Sequence, residues 1–322
     1  MSQAKQLPVI AIVVPCYNEQ DALPLSLPVL LKILDRMADE GIASPESYIL
    51  CSNDGSRDKT WEVLEKAHLD DKRVKAISLA HNRGHQQALL AGLMTVMDHA
   101  DAAISIDADL QDDPEAIIEM VRRFDGGRGD EIVYGVRSDR SSDSTFKRST
   151  AHAFYNLQRK MGVEAVYDHA DYRLMSNRAL HLLAEYPEKN LFLRGIVPNI
   201  GLRHSSVAYS RNPRVAGESK YPLSKMLSFS IDGITSFSAK PMRLIFAIGA
   251  AILLLDIIVA IWVLVAFFCG KVTSGWPSLM LSVWFLGGLI LLSIGIVGEY
   301  IGKIFIEVKD RPRYAIADRL WD

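Results

Sequence analysis

Apolar positions along this chain follow two regimes. Up to about residue 240, short apolar runs alternate with amphipathic stretches, and most runs end in a polar cluster. Residues 9–14, 48–51, 74–79, 102–106 and 132–135 are brief and mostly apolar, as expected for strands covered on both faces. Between them, residues 23–40, 59–68 and 86–98 read as helices, and another starts around Pro114, near its first turn. Strands alternating with helices predict an α/β domain on a largely parallel sheet with right-handed crossovers. Beyond residue 240 charge nearly vanishes. Residues 244–268 and 277–301 are each long enough to cross a bilayer, which takes about 20 apolar residues. The connector 269–276 is short, so the two predict a hairpin. Just before it, Leu223, Met226, Leu227, Ile231, Ile234 and Phe237 recur at helical spacing, predicting a helix in the headgroup plane.

Parallel strands point their carboxyl ends to one sheet edge. The polar clusters at 15–19, 53–56, 81–84 and 107–111 therefore converge on one crevice, where open α/β sheets bind ligands. The central cluster is Asp107-Ala108-Asp109-Leu110-Gln111. A bare Asp-x-Asp is more often an acidic turn, but here it closes a buried strand inside that convergence. Hard carboxylate oxygens beside an amide suit Mg²⁺ or Mn²⁺ held partly by a substrate's phosphates. Asp54 is placed to accept hydrogen bonds from a base or ribose, and Gly84 lets backbone N–H groups approach a phosphate. Neither a Gly-x-Gly-x-x-Gly nor a Gly-x-x-x-x-Gly-Lys pattern occurs, which counts against dinucleotide and P-loop readings.

The 322 residues carry a net charge of -2, so no nucleic-acid partner is expected. Cys16, Cys51 and Cys269 lack metal-ligand spacing and suggest a reduced, cytosol-facing catalytic part. The polar N-terminus enters a strand directly, so no signal peptide is expected. Lys240, Arg243, Lys303, Lys309, Arg311 and Arg313 crowd the outer flanks of the hairpin, against Lys271 in its connector. The positive-inside rule then puts the catalytic domain and both termini in the cytosol. Asp256, near mid-span, is read as a structural carboxylate that is protonated or bonded across a helix interface. Gly287, Gly288, Ser293 and Gly295 would allow close helix packing in a homo-oligomer.

Pro15-Cys16-Tyr17-Asn18-Glu19, Asn53-Asp54-Gly55-Ser56 and Asp107-Ala108-Asp109-Leu110-Gln111, in that order, resemble the motifs of inverting family-2 glycosyltransferases with a GT-A fold. More narrowly they resemble the polyprenyl-phosphate glycosyltransferases, which include dolichol-phosphate mannose synthases and bactoprenol glucosyltransferases. Asn53 departs from the Asp that family often carries. The resemblance implies that Pro15, Tyr17, Asn18, Glu19, Asp54, Gly84, Asp107 and Ala108 bind a nucleotide-sugar. It implies Asp54 on the nucleobase, Asp107 on the ribose or metal, and Asp109 on a Mg²⁺ or Mn²⁺ bridging the diphosphate, with Gln111 nearby. The run with Arg137, Arg140, Lys147 and Arg148 reads as a solvated loop or as an arm gripping an acceptor phosphate; the resemblance favours the second, through Arg137 and Arg148. Arg194, Arg214 and Lys220, the last two in Arg214-x-x-Gly-Glu-Ser-Lys220-Tyr, are expected beside the same phosphate.

Asp171-Tyr172-Arg173 matches an Asp-x-Arg motif whose Asp is the proposed catalytic base, although Asp171 could simply pair with Arg173 or Arg178 on the surface. A phosphate monoester, with a second pKa of about 6, is largely ionised near neutrality, so Asp171 need not be a strong base. The expected architecture is a GT-A domain over 1–221, an interfacial helix over 222–240, a two-helix hairpin within 241–302 and a cytosolic tail over 303–322. The expected function is inverting transfer from a nucleotide-sugar, UDP-sugar favoured, to undecaprenyl phosphate at the cytosolic face of a bacterial inner membrane, for cell-envelope glycan modification. The rivals are a processive polysaccharide synthase, whose Gln-x-x-Arg-Trp signature is missing, and a non-catalytic nucleotide-binding membrane adaptor.

Overall fold

The computed structural model of the chain describes residues 7–138, 169–210, 240–269 and 275–322. Two compact units emerge, one built from 1–156, 164–222 and 311–322, the other from 157–163 and 223–310.

The first unit is a sheet with helices packed against it. Its strands are β1 (Ile10–Cys16), β2 (Tyr48–Asn53), β3 (Val74–Leu79), β4 (Ala102–Ser105), β5 (Ile132–Arg137), β6 (His169–Ser176), β7 (His204–Tyr209) and β8 (Ile316–Leu320). They run in the order β7-β5-β6-β4-β1-β2-β3-β8. β1, β2 and β4 pair in parallel, as do β2 with β3 and β5 with β7. β1 to β4 bury nearly every residue, which is why their sequences show no alternation. The helices of this unit are α1 (Leu23–Asp39), α2 (Thr60–Asp70), α3 (His85–Val96), α4 (Ala116–Phe124), α5 (Asn177–Ala184) and α6 (Leu193–Asn199). α4 starts two residues beyond Pro114, which sits in a turn where the Glu115 N–H donates to Asp113 Oδ1 at 3.1 Å.

Three strands differ from the expected five. β6 is inserted antiparallel between β4 and β5, β7 extends the far edge, and β8 pairs antiparallel with β3. The segment expected as a C-terminal tail thus contributes an edge strand to the sheet. β5 also continues two residues past its expected end, so Arg137 closes a strand and does not open a loop.

The second unit contains α7 (Lys240–Phe268) and α8 (Trp276–Val308). α8 runs seven residues beyond the expected 301 and takes in Lys303. Among the described residues one stretch, Phe285–Val308, is long and apolar enough to cross a membrane. Large apolar side chains on both helices face outward, Phe246, Trp262, Leu291 and Phe305 among them. The expected interfacial helix and the expected acceptor residues Arg148, Arg214 and Lys220 lie outside the described residues, as does the side chain of Asp256.

Candidate active site

The crevice forms where β1, β2 and β4 end and the antiparallel β6 begins. Residues 107–112 alternate between crevice and core: Asp107, Asp109 and Gln111 reach solvent, whereas Ala108, Leu110 and Asp112 are buried. Leu110 makes this possible by adopting φ 45°, a left-handed conformation rare for a branched side chain and typical of functional turns. Any contact of Ala108 with a donor is thus through its backbone. The Asp109 Oδ1 accepts the Gln111 N–H at 3.2 Å, tightening the loop.

β6 explains why Asp171 belongs to this site although it lies 64 residues from Asp107. In the antiparallel β4–β6 pair, Ser105 is opposite Arg173, so the chain two residues past Ser105 meets the chain two residues before Arg173. The Ser105 hydroxyl donates to the Asp171 carbonyl and locks that register. Asp171 is 10% exposed and accepts from Arg173 Nη2 at 2.6 Å and from Arg194 Nη2 at 3.1 Å. Arg173, expected as a surface partner, is instead buried, and Arg178 pairs elsewhere, with Glu131 at 2.9 Å. Burial alone would push the Asp171 pKa up. The guanidiniums of Arg194 and Arg173, with His85 nearby, reverse that and hold it well below the usual carboxylate range. An anion held so firmly is a poor proton acceptor. Its geometry suits orienting Arg194, which opens α6 and is partly exposed.

His85 is the functional candidate that the sequence reading passed over. It begins α3, and its Nε2 lies 3.7 Å from Asp107 Oδ1 and 3.8 Å from Asp171 Oδ2. Its sequence signal was slight, a histidine following Gly84 at a helix start, with no spacing to distinguish it.

The crevice wall at β1 and β2 is knitted from three loops. Asn18, at φ 55°, donates its N–H to Ser56 Oγ at 2.9 Å and accepts the Arg57 N–H on Oδ1 at 2.9 Å. The Glu19 N–H donates to Thr60 Oγ1 at 2.8 Å, while Pro15 lies within β1 and Tyr17 is exposed beside it. Asn53 donates from Nδ2 to Ser78 Oγ at 3.0 Å and accepts the Ser56 hydroxyl at 2.6 Å. Asp54 is 2% exposed, and its two oxygens accept the N–H groups of Arg83 at 2.7 Å and Gly84 at 2.8 Å. Burial raises its pKa, with those two amides opposing the rise. Asp54, expected to accept from a base or ribose, also holds the 81–84 loop in place. Gly55, at φ +62°, lets that loop come close: a Cβ there would stand 2.8 Å from the His81 carbonyl carbon.

The residues fit a divalent cation. The Asp107 carboxylate is half exposed on the crevice floor. Burial raises its pKa and His85 pulls it back, while the carboxylates of Asp112, Asp171 and Asp109 raise it further. Such an accumulation of negative charge is relieved by a cation. Among the described residues no three His, Cys, Asp or Glu side chains form a metal cage. Two carboxylates and an amide leave the remaining positions to water and substrate phosphates, the usual way Mg²⁺ is held.

A family profile described as "Glycosyl transferase family 2" matches residues 11–183. The chain is 48% identical to the "Uncharacterized glycosyltransferase YkoT" of Bacillus subtilis, over 96% of this chain and 91% of that protein. It is 37% identical to a "Bactoprenol glucosyl transferase" of Shigella phage SfX, over 96% and 99% of the two. A "Prophage bactoprenol glucosyl transferase homolog" of Escherichia coli is also 37% identical, over 95% and 98%. With its sheet order, its Asp-x-Asp loop and these relatives, the chain belongs to glycosyltransferase family 2.

Proposed function

We propose that this enzyme transfers a sugar from a nucleotide-sugar, UDP-sugar favoured, to the phosphate of a polyprenyl lipid, with inversion at the anomeric carbon. The observation that carries this reading is the pinning of Asp171, an ionised carboxylate fixed by Arg173 and Arg194 beside the Asp-x-Asp loop. A sugar hydroxyl acceptor would need a base to take its proton. A phosphate monoester needs cations to hold it, and this edge of the sheet supplies Arg194 and Arg137. Near-total coverage of the bactoprenol glucosyl transferases supports the lipid.

A phosphate oxygen of the lipid attacks the anomeric carbon opposite the leaving group. A new C–O bond forms as the bond to the nucleoside diphosphate breaks, and the departing oxygen takes the electron pair. Asp109, Asp107 and Gln111 would hold a Mg²⁺ or Mn²⁺ that neutralises charge on that diphosphate. Asp54 keeps the 81–84 loop against the donor, and Asp171 keeps Arg194 aimed at the acceptor. Holding both reactants in line lowers the barrier without proton transfer.

We further propose that α7 and α8 form a two-span hairpin in the bacterial inner membrane, with the catalytic unit cytosolic. The test is the full chain in detergent with Mn²⁺, a short-chain polyprenyl phosphate and a panel of UDP- and GDP-sugars. The expected product is a glycosyl phospholipid of inverted configuration, made best from a UDP-sugar. Absence of lipid product with every donor overturns the reading.

A further inference from the structure

We propose that Asp112 is a positioning residue that presents Arg137 to the acceptor phosphate, an inference that rests on the acceptor reading above. Asp112 follows the Asp-x-Asp-x-Gln run directly but turns the other way, and it is 3% exposed. The Tyr209 hydroxyl donates to its Oδ1 at 2.6 Å, and Arg137 Nη2 approaches the same oxygen at 3.4 Å. Arg137 Nε also lies 3.4 Å from the Tyr209 hydroxyl oxygen. The three side chains form a triangle, built on the β5–β7 pair in which Arg137 and Tyr209 are opposite each other.

The triangle is braced from β6. The Tyr172 ring meets the Tyr209 ring edge-on at 5.2 Å, and the Tyr172 hydroxyl donates to the Asp113 carbonyl at 2.8 Å. Residues 112–113 are thus fixed by tyrosines on either side of β5, so the acceptor oxygen that Arg137 meets is itself held in place. β4, β5 and β7 run in the same direction, so Arg137 ends at the sheet edge that carries Asp107 and Asp171.

A neutral amide at position 112 could still accept the Tyr209 hydroxyl, though more weakly than a carboxylate. A buried carboxylate is costly without a cation, and Arg137 is the cation that approaches it. Asp112 and the Tyr209 hydroxyl together engage one side of the guanidinium, the carboxylate at Nη2 and the hydroxyl at Nε, and no described residue hydrogen-bonds Nη1. A fork held along one edge offers its other donors in a fixed direction, which suits a phosphate better than a freely rotating arginine.

The test measures binding, with farnesyl phosphate as the acceptor probe and UDP with Mn²⁺ as the donor probe, on the full chain in detergent. Asp112→Asn is expected to weaken farnesyl phosphate about tenfold and leave UDP within twofold. Arg137→Ala is expected to weaken farnesyl phosphate at least as much, and the double variant no more than Arg137→Ala alone, because the first residue acts through the second. Tyr209→Phe, which keeps the ring packing, is expected to give a smaller loss of the same kind and serves if Asp112→Asn does not fold. Loss of farnesyl phosphate in Arg137→Ala with full retention in Asp112→Asn, or multiplied losses in the double variant, overturns the role of Asp112. An unchanged farnesyl phosphate affinity in Arg137→Ala overturns the acceptor role of Arg137 itself, and this inference with it.

Discussion

Arg173 donates to Asp171 at 2.6 Å from two residues along the same face of β6, with Arg173 buried beneath the largely covered Asp171 carboxylate. The pair is an electrostatic anchor under the crevice, and Arg194 is its exposed outer member.

Asp171→Asn leaves the buried Arg173 with no anion, and breaking such a pair costs about 3–5 kcal/mol. Urea unfolding of the variant should show that loss, with UDP affinity retained in whatever remains folded. The pH dependence has a definite sign. A carboxylate held below its unfolded pKa of about 3.9 contributes stability at higher pH and loses it as pH falls through the folded value. Asp171 is of this kind, so its share of stability is complete from about pH 5 upward and is lost progressively as pH falls from there through its depressed folded value. The transfer rate between pH 5 and 8 should therefore carry no limb assignable to Asp171, and a pH–rate profile checks this.

A crevice of gathered carboxylates should bind cation and diphosphate together. Thermal melts with Mn²⁺ alone, UDP alone and both should show the large upward shift only with both. At a hundredfold excess over Kd it corresponds to about 2.7 kcal/mol. Asp109→Asn, or EDTA, should abolish the joint shift. A UDP shift indifferent to EDTA would remove the metal from this account.

Asn53 stands where relatives resembled by the motif often carry Asp. Its Nδ2 donates to Ser78 Oγ while its Oδ1 accepts from Ser56, so it needs both a donor and an acceptor end. Asn53→Asp loses the donor and buries a charge beside Asp54. The expected destabilisation is about 1–3 kcal/mol, read by chemical denaturation.

The C-terminal strand should matter to the whole catalytic unit. Trp321, just beyond β8, lies under the Lys75 ammonium at 4.3 Å and meets the Tyr48 ring edge-on at 5.8 Å. Trp321→Ala should cost about 1–3 kcal/mol, less than a fully buried tryptophan because this one is half-buried. Removal of residues 313–322 should go further and bare the edge of β3, a pairing surface prone to aggregation. Light scattering during the melt distinguishes the two outcomes.

Local patterning determined a good deal here: the five apolar strands, the helices between them, the long apolar helices at the end and the loops that meet at one edge. Each depends on spacing within about 20 residues, which periodicity records directly. The Asp-x-Asp-x-Gln run was legible for the same reason, since one strand and one turn suffice to place it. Only the tertiary structure decided that Asp171 faces Asp107, because that proximity follows from the antiparallel insertion of β6 and the Ser105–Arg173 register. It also decided that Asp54 holds a loop, that His85 stands between two carboxylates and that the tail contributes an edge strand to the sheet. Those relations join residues far apart in the chain. Side chains such as Asp54 and Asp112 acquire their partners only when the sheet forms, so no local pattern encodes which way they turn.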